Sequence, residues 1–300
     1  MKQLLVLIKR NTKLFFKDKG MFFTSLITPA ILLVLYATFL GNVYKESFLA
    51  TLPKGFDMAE KLINGCVGGQ LISSILAVSC VTVAFCSNML IIQDKATHSI
   101  KDLTIAPVKR STLAFGYYYS TLISTMIICL TATAICLLYI GFVGWYMSAF
   151  DVLCIIADVI LLVLFGTALS SVINFFLSTQ GQMSAVGTII SSTYGFICGA
   201  YMPISQFSDT LQKVVMLLPG TYGTSLLRNH ALRGVFEEME KTHFPEEAIK
   251  GMKDTVDCNI YFFGNQVSET AMYLVLCITV IVLISCYVFL NINKEKKSKL

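Results

Sequence analysis

Residues 67–92 read VGGQLISSILAVSCVTVAFCSNMLII, 26 positions without a charge, and residues 93–110 read QDKATHSIKDLTIAPVKR, with six charges. A helix rises ~1.5 Å per residue and a bilayer core is ~30 Å thick, so about 20 apolar residues cross it. The first stretch is long enough to span a membrane. The second is too charged to enter one and stands outside it.

Working outward, the same template fits five more blocks, at about 21–40, 113–140, 150–177, 183–201 and 270–290. The 300-residue chain is 55% hydrophobic and 14% charged, with a mean hydropathy of +0.71, whereas soluble domains carry ~25% charged residues. A water-soluble globule could not hide that much apolar surface. The expected fold class is all-α, a polytopic membrane protein of six transmembrane helices. A signal peptide is the rival reading of the first block, but its basic lead is too long and five more spans follow.

Positive residues stay on the cytoplasmic side. Lys2, Lys9, Arg10, Lys13, Lys17 and Lys19 lead the chain; Lys95, Lys101, Lys109 and Arg110 follow the second span; Lys294, Lys296, Lys297 and Lys299 close it. These are 14 of the 23 basic residues. On the other side, acids balance or outnumber the bases. Both termini are therefore expected in the cytoplasm, with the chain multi-pass in the cell membrane. The net charge of +5 reflects this topology and implies no nucleic-acid partner. Within 2–19, Leu4, Leu7, Ile8, Leu14 and Phe15 recur near helical period, as in an amphipathic helix lying on the membrane lipid surface; a simple positive anchor is the alternative.

Motifs for soluble catalysis are missing: no G-x-x-x-x-G-K-[ST], no H-E-x-x-H and no G-x-S-x-G occurs. His98, His230 and His243 are too scattered for a metal site and read as ordinary polar residues. Eight of the ten cysteines lie in apolar blocks; Cys66 and Cys258 fall near the outer ends of spans, where a loop disulfide is conceivable. Asp158 lies seven residues into the fourth span, where a carboxylate is costly unless paired, protonated or facing water. It supports an alternative reading, a proton-coupled secondary transporter. Asp151, one heptad earlier, marks a polar face that either points into the bundle or snorkels outward. A membrane-embedded enzyme would need convergent acids or histidines, and only Asp158 is deep.

In 93–110, Ile100, Leu103 and Ile105 make a short amphipathic helix plausible, ended by Pro107. D-K-x-x-x-S-x-K-D-L-x-x-A-P-V-x-R here resembles the intracellular coupling loop of the ABC-2 type permeases. Asp94, Lys95, Ser99, Leu103, Pro107, Val108 and Arg110 match that pattern. His98 stands where glycine is usual in it, and Ala106 where threonine is common. A second likeness follows the fifth span: G-A-Y-M-P-I-S (199–205), then L-L-P-G-T-Y-G-T-S-L-L-R (217–228). Ser208 can cap a helix carrying Leu211, Val214, Val215 and Leu218, and Pro219-Gly220 breaks it before a second short helix. Pro219, Thr221 and Tyr222 resemble the family's signature in its outer re-entrant element. Residues 235–266 are an extra acidic segment.

The resemblance implies one transmembrane domain over 1–300, with an interfacial helix (2–19), a coupling loop (93–112), an extracellular segment (202–268) and a cytoplasmic tail (292–300). It implies an exporter permease that binds no cofactor itself, paired with an ATP-binding-cassette ATPase subunit that uses ATP and Mg, and with a second or homologous permease. Asp94, Lys95, Ser99, Asp102, Leu103, Pro107, Val108 and Arg110 would then dock the ATPase. Gly187, Ser191, Gly195 and Gly199, at four-residue spacing, line one helix face with small residues and permit close packing or dimer contact. By analogy, Thr82, Phe85, Asn88, Tyr194 and Phe196 would border the substrate path.

Overall fold

The computed structural model describes residues 2–50, 59–105 and 108–297. All six apolar blocks are helical. In chain order the elements are α1 (Lys2–Lys17), α2 (Lys19–Leu35), a π-turn (Tyr36–Leu40), α3 (Gly41–Ala50), α4 (Glu60–Ser87), α5 (Met89–Ala96), α6 (Ser99–Ile105), α7 (Arg110–Val143), α8 (Ala149–Phe175), α9 (Gln180–Ile197), α10 (Asp209–Val215), α11 (Pro219–Lys241), α12 (Glu246–Thr255), the hairpin β1 (Tyr261–Phe262) and β2 (Asn265–Gln266), and α13 (Glu269–Lys297).

By length and hydropathy four described helices can cross a membrane, Glu60–Ala96, Arg110–Val143, Ala149–Phe175 and Glu269–Asn293, and the bent pair α1–α2 makes a fifth. Helix α9 lies where the fifth of six spans was expected. With Gln180, Gln182 and five Ser or Thr among its 18 residues, it is not among those helices. The angle between α1 and α2 is 73°, and its local cause is Asp18. That residue is extended and caps α2 by accepting a hydrogen bond from Met21 N. An amphipathic helix thus turns into an apolar one at a single capping residue.

The stretch 67–92 forms the axis of the molecule. Its apolar residues show no period, as expected of a helix buried all round, and α2, α7, α8 and α11 pack about it. Close approach needs small residues: a Cβ on Gly166 of α8 would sit 2.7 Å from the Cys80 carbonyl oxygen of α4. Beyond α9, Gly199 has φ +73°, the left-handed region that glycine adopts without strain, and the chain turns into α10. Ser208 stands at the N-cap of α10 but gives no side-chain bond. The expected pair of short helices is corrected here. Helix α10 is short, whereas α11 runs 23 residues and is largely buried, because its small residues let it lie against α4 and α8.

Candidate functional site

The two ends of the bundle are built differently. At the end carrying the basic segments, α5 and α6 form the 93–105 part of the expected coupling loop; Ala106 and Pro107, and with them the expected proline stop, lie outside the described residues, as does Lys299. Asp94 is buried and accepts from Arg10 Nη1 of α1 at 2.9 Å and from the Tyr117 hydroxyl of α7 at 2.5 Å. Lys95 donates to the carbonyl oxygens of Asn174, Phe175 and Leu177 at 3.1, 3.2 and 2.7 Å. A cation there satisfies the free carbonyls and negative dipole end of α8. Neither side chain faces outward for docking. Both tie the loop to the bundle.

His98 has φ +62°, so the position where the family usually has glycine is a left-handed turn in this chain too. Helix α6 follows, with Ser99 at its start and its side chain 3.0 Å from Thr97 Oγ1. Ile100, Leu103 and Val108 pack against Leu7, Leu90, Leu113 and Tyr117. Ile105 does not join them; it is 83% exposed. Five residues along a helix turn it about 140° from Ile100. Lys101 and Asp102 are exposed as well, as are Lys109 and Arg110. An apolar side chain ringed by charges in water is the pattern of a protein contact.

A cavity of about 920 Å³ lies between α2 and α9. Of the expected path residues it collects Phe85 and Phe196, together with Gly187 and Ser191 of the small-residue stripe. Thr82, Asn88 and Tyr194 do not line it. They are buried where helices meet: Thr82 bonds its own helix at Val78 O, and Asn88 donates to Ser170 and Ser171 of α8 at 3.1 Å. The Tyr194 ring packs on Gly220. Nor is the stripe one open face. Gly187 abuts Met89, Gly195 abuts the Tyr201 ring, and Gly199 sits against Ile204. The surface α9 leaves uncovered is the neighbouring one, Ser184, Thr188 and Ser192.

At the opposite end the charges are deep. Arg228, fully buried, donates to Asp257 Oδ2 at 2.9 Å, to Gly199 O at 2.5 Å and to Ser74 Oγ of α4 at 3.4 Å. Asp257 also accepts from Ile204 N; burial pushes its carboxyl up, and Arg228 pulls it back. Asp158 is bonded on both oxygens, to His230 Nδ1 at 2.6 Å and from the Tyr273 hydroxyl at 2.5 Å. Asp151 points into the bundle: it completes a capping box with Ser148 and pairs with Arg233 at 3.0 Å. Arg233 continues to Glu269. His230, read from sequence as an ordinary polar residue, is thus the partner of Asp158. Cys66 and Cys258 are free, buried thiols rather than a disulfide. Sequence reasoning missed Arg228, His230 and Ile105; the one available signal was a lone arginine inside an otherwise apolar and small-residue helix.

These features define a class: a helical membrane protein whose sequence has no nucleotide-hydrolysis motif, with a large lateral cavity and a strapped helix presented at its basic end. The chain matches the model of the ABC-2 type transporter family over residues 2–231 and belongs to that family. It is a membrane component of an ABC transporter, associating with an ABC ATPase. The match ends just before the acidic segment that begins at Val235. A search of curated proteins gives no match.

Proposed function

We propose that the chain is the permease of an ATP-driven exporter in the cytoplasmic membrane, with both termini in the cytoplasm and α6 as the seat of the ATPase. The observation that carries this is the two-sided build of α6: Ile100 and Leu103 are anchored, while Ile105, Lys101 and Asp102 face water. Asp94, Lys95 and Arg10 hold that presentation in place rather than touching the partner. ATP and Mg would be bound by the ATPase alone. Closure of the ATPases would push on α6, and the straps would carry the push to α1, α7 and α8, so that the cavity changes access through the differential ATP affinity of two states.

The second permease copy, or a homologous permease, would close the cavity beside α2 and α9, where Ser184, Thr188 and Ser192 face outward. Apolar walls with a few hydroxyls suit an amphiphilic cargo such as a drug, a peptide or a lipid-linked saccharide. The alternative, proton-coupled transport through Asp158, draws on its buried pairing with His230 and Tyr273. Asp158→Asn in reconstituted vesicles separates the two. ATP-dependent uptake that persists without a proton gradient supports the exporter; transport abolished by the substitution while the fold is intact supports the alternative.

A further inference from the structure

A second, smaller cavity of about 280 Å³ lies at the basic end, walled by Ile100 of α6, Arg110 and Leu113 of α7, Phe175 at the end of α8, Asn291 of α13, and Lys95. Three membrane-crossing helices begin or end here, α7 at Arg110, α8 at Phe175 and α13 near Asn293. That places the cavity at the boundary between hydrocarbon and water. Its walls are mostly apolar, its charged side chains are both cations, and no carboxylate lines it. The Lys95 ammonium is fixed by the three carbonyls at the end of α8. Arg110 is exposed and makes no ion pair among the described residues.

We propose that this cavity binds the phosphate headgroup of an anionic phospholipid. The guanidinium of Arg110 supplies bidentate donors to the phosphate oxygens, and the apolar walls cover the glycerol and first methylenes. At ~30 Å³ per water the space holds about nine waters' volume, enough for a phosphoglycerol group, so the acyl chains continue outside along the helices. A free phosphate would leave Ile100, Leu113 and Phe175 wet, which is why the lipid is the favoured source. Because Ile100 belongs to α6, the bound headgroup braces the helix on which the ATPase is proposed to sit. Binding itself is tested on the purified chain alone, so its failure would leave the exporter reading untouched.

The test is native mass spectrometry of the detergent-purified chain with phosphatidylglycerol, phosphatidylcholine or inorganic phosphate. One cation beside an anionic headgroup predicts about fivefold greater retention of phosphatidylglycerol than phosphatidylcholine. Arg110→Gln removes that preference, Arg110→Lys keeps part of it, and Lys13→Gln, an exposed cation on α1, leaves it unchanged. Ala114→Leu fills the cavity with every charge in place and lowers retention as well, which keeps the test decisive if Arg110→Gln does not fold. Equal retention of the two lipids, or a preference surviving both Arg110→Gln and Ala114→Leu, overturns the site. Inorganic phosphate competing as well as the lipid overturns the lipid source.

Discussion

The two ends of this molecule spend charge in opposite ways. At the basic end, Arg10 is about one-third exposed while its partner Asp94 is buried, and the pair straps a short helix to the bundle. At the other end, Arg228 and Asp257 are both buried, with no exposure at Arg228 and 5% at Asp257, joining α4, the end of α9, α11 and the acidic segment. A screened pair contributes little stability and can break and re-form, whereas a buried pair strongly resists losing one partner. The first suits a moving joint. The second suits a fixed closure.

The sharpest way to break that contrast is Arg228→Ala, which leaves Asp257 buried without its cation. A loss of about 3–5 kcal/mol in unfolding free energy is expected, read as thermal or denaturant unfolding in detergent; changing both residues to apolar ones should cost markedly less. Asp158→Asn keeps one hydrogen bond and loses the charge facing His230, for an expected cost of about 1–3 kcal/mol. Arg10→Ala should cost under about 1 kcal/mol yet reduce ATPase stimulation by cargo, because it loosens the strap and not the fold. A variant unfolded as severely as Arg228→Ala would erase the distinction between the two ends. The smallest effect concerns Cys258, whose thiol burial pushes up to about 12. Maleimide should label it roughly a thousandfold more slowly in the folded chain than in the denatured one, since only the thiolate reacts.

The helices were legible because apolar blocks and basic flanks are local signals. The stretch 67–92 even foretold its central place, through apolar residues without a period. The pairings were not legible, since Asp158 and His230 are 72 positions apart and Arg228 and Asp257 29 apart, and no spacing rule links them. Two misreadings have simple geometric causes. Ile105 was grouped with Ile100 and Leu103 by composition, but helical rotation carries it to the far face. Asn88 and Thr82 looked like path residues because polar groups in a span suggest a channel, yet α4 is buried on every side and they bond neighbouring helices or their own backbone. The coupling loop was found through its likeness to a family, and the match over 2–231 agrees with it; which of its side chains strap and which present themselves had to come from coordinates.

The central claim is that the exposed face of α6 seats the ATPase while its buried face only holds it in place. Its most direct measurement is recovery of the ATPase polypeptide with the tagged chain from its native cell, comparing Ile105→Asp with the unaltered protein at matched permease levels. The account predicts that Ile105→Asp lowers ATPase recovery at least tenfold with unfolding unchanged, a loss of about 1.4 kcal/mol or more in binding. Full recovery with Ile105→Asp, or no ATPase with the unaltered chain, would contradict it.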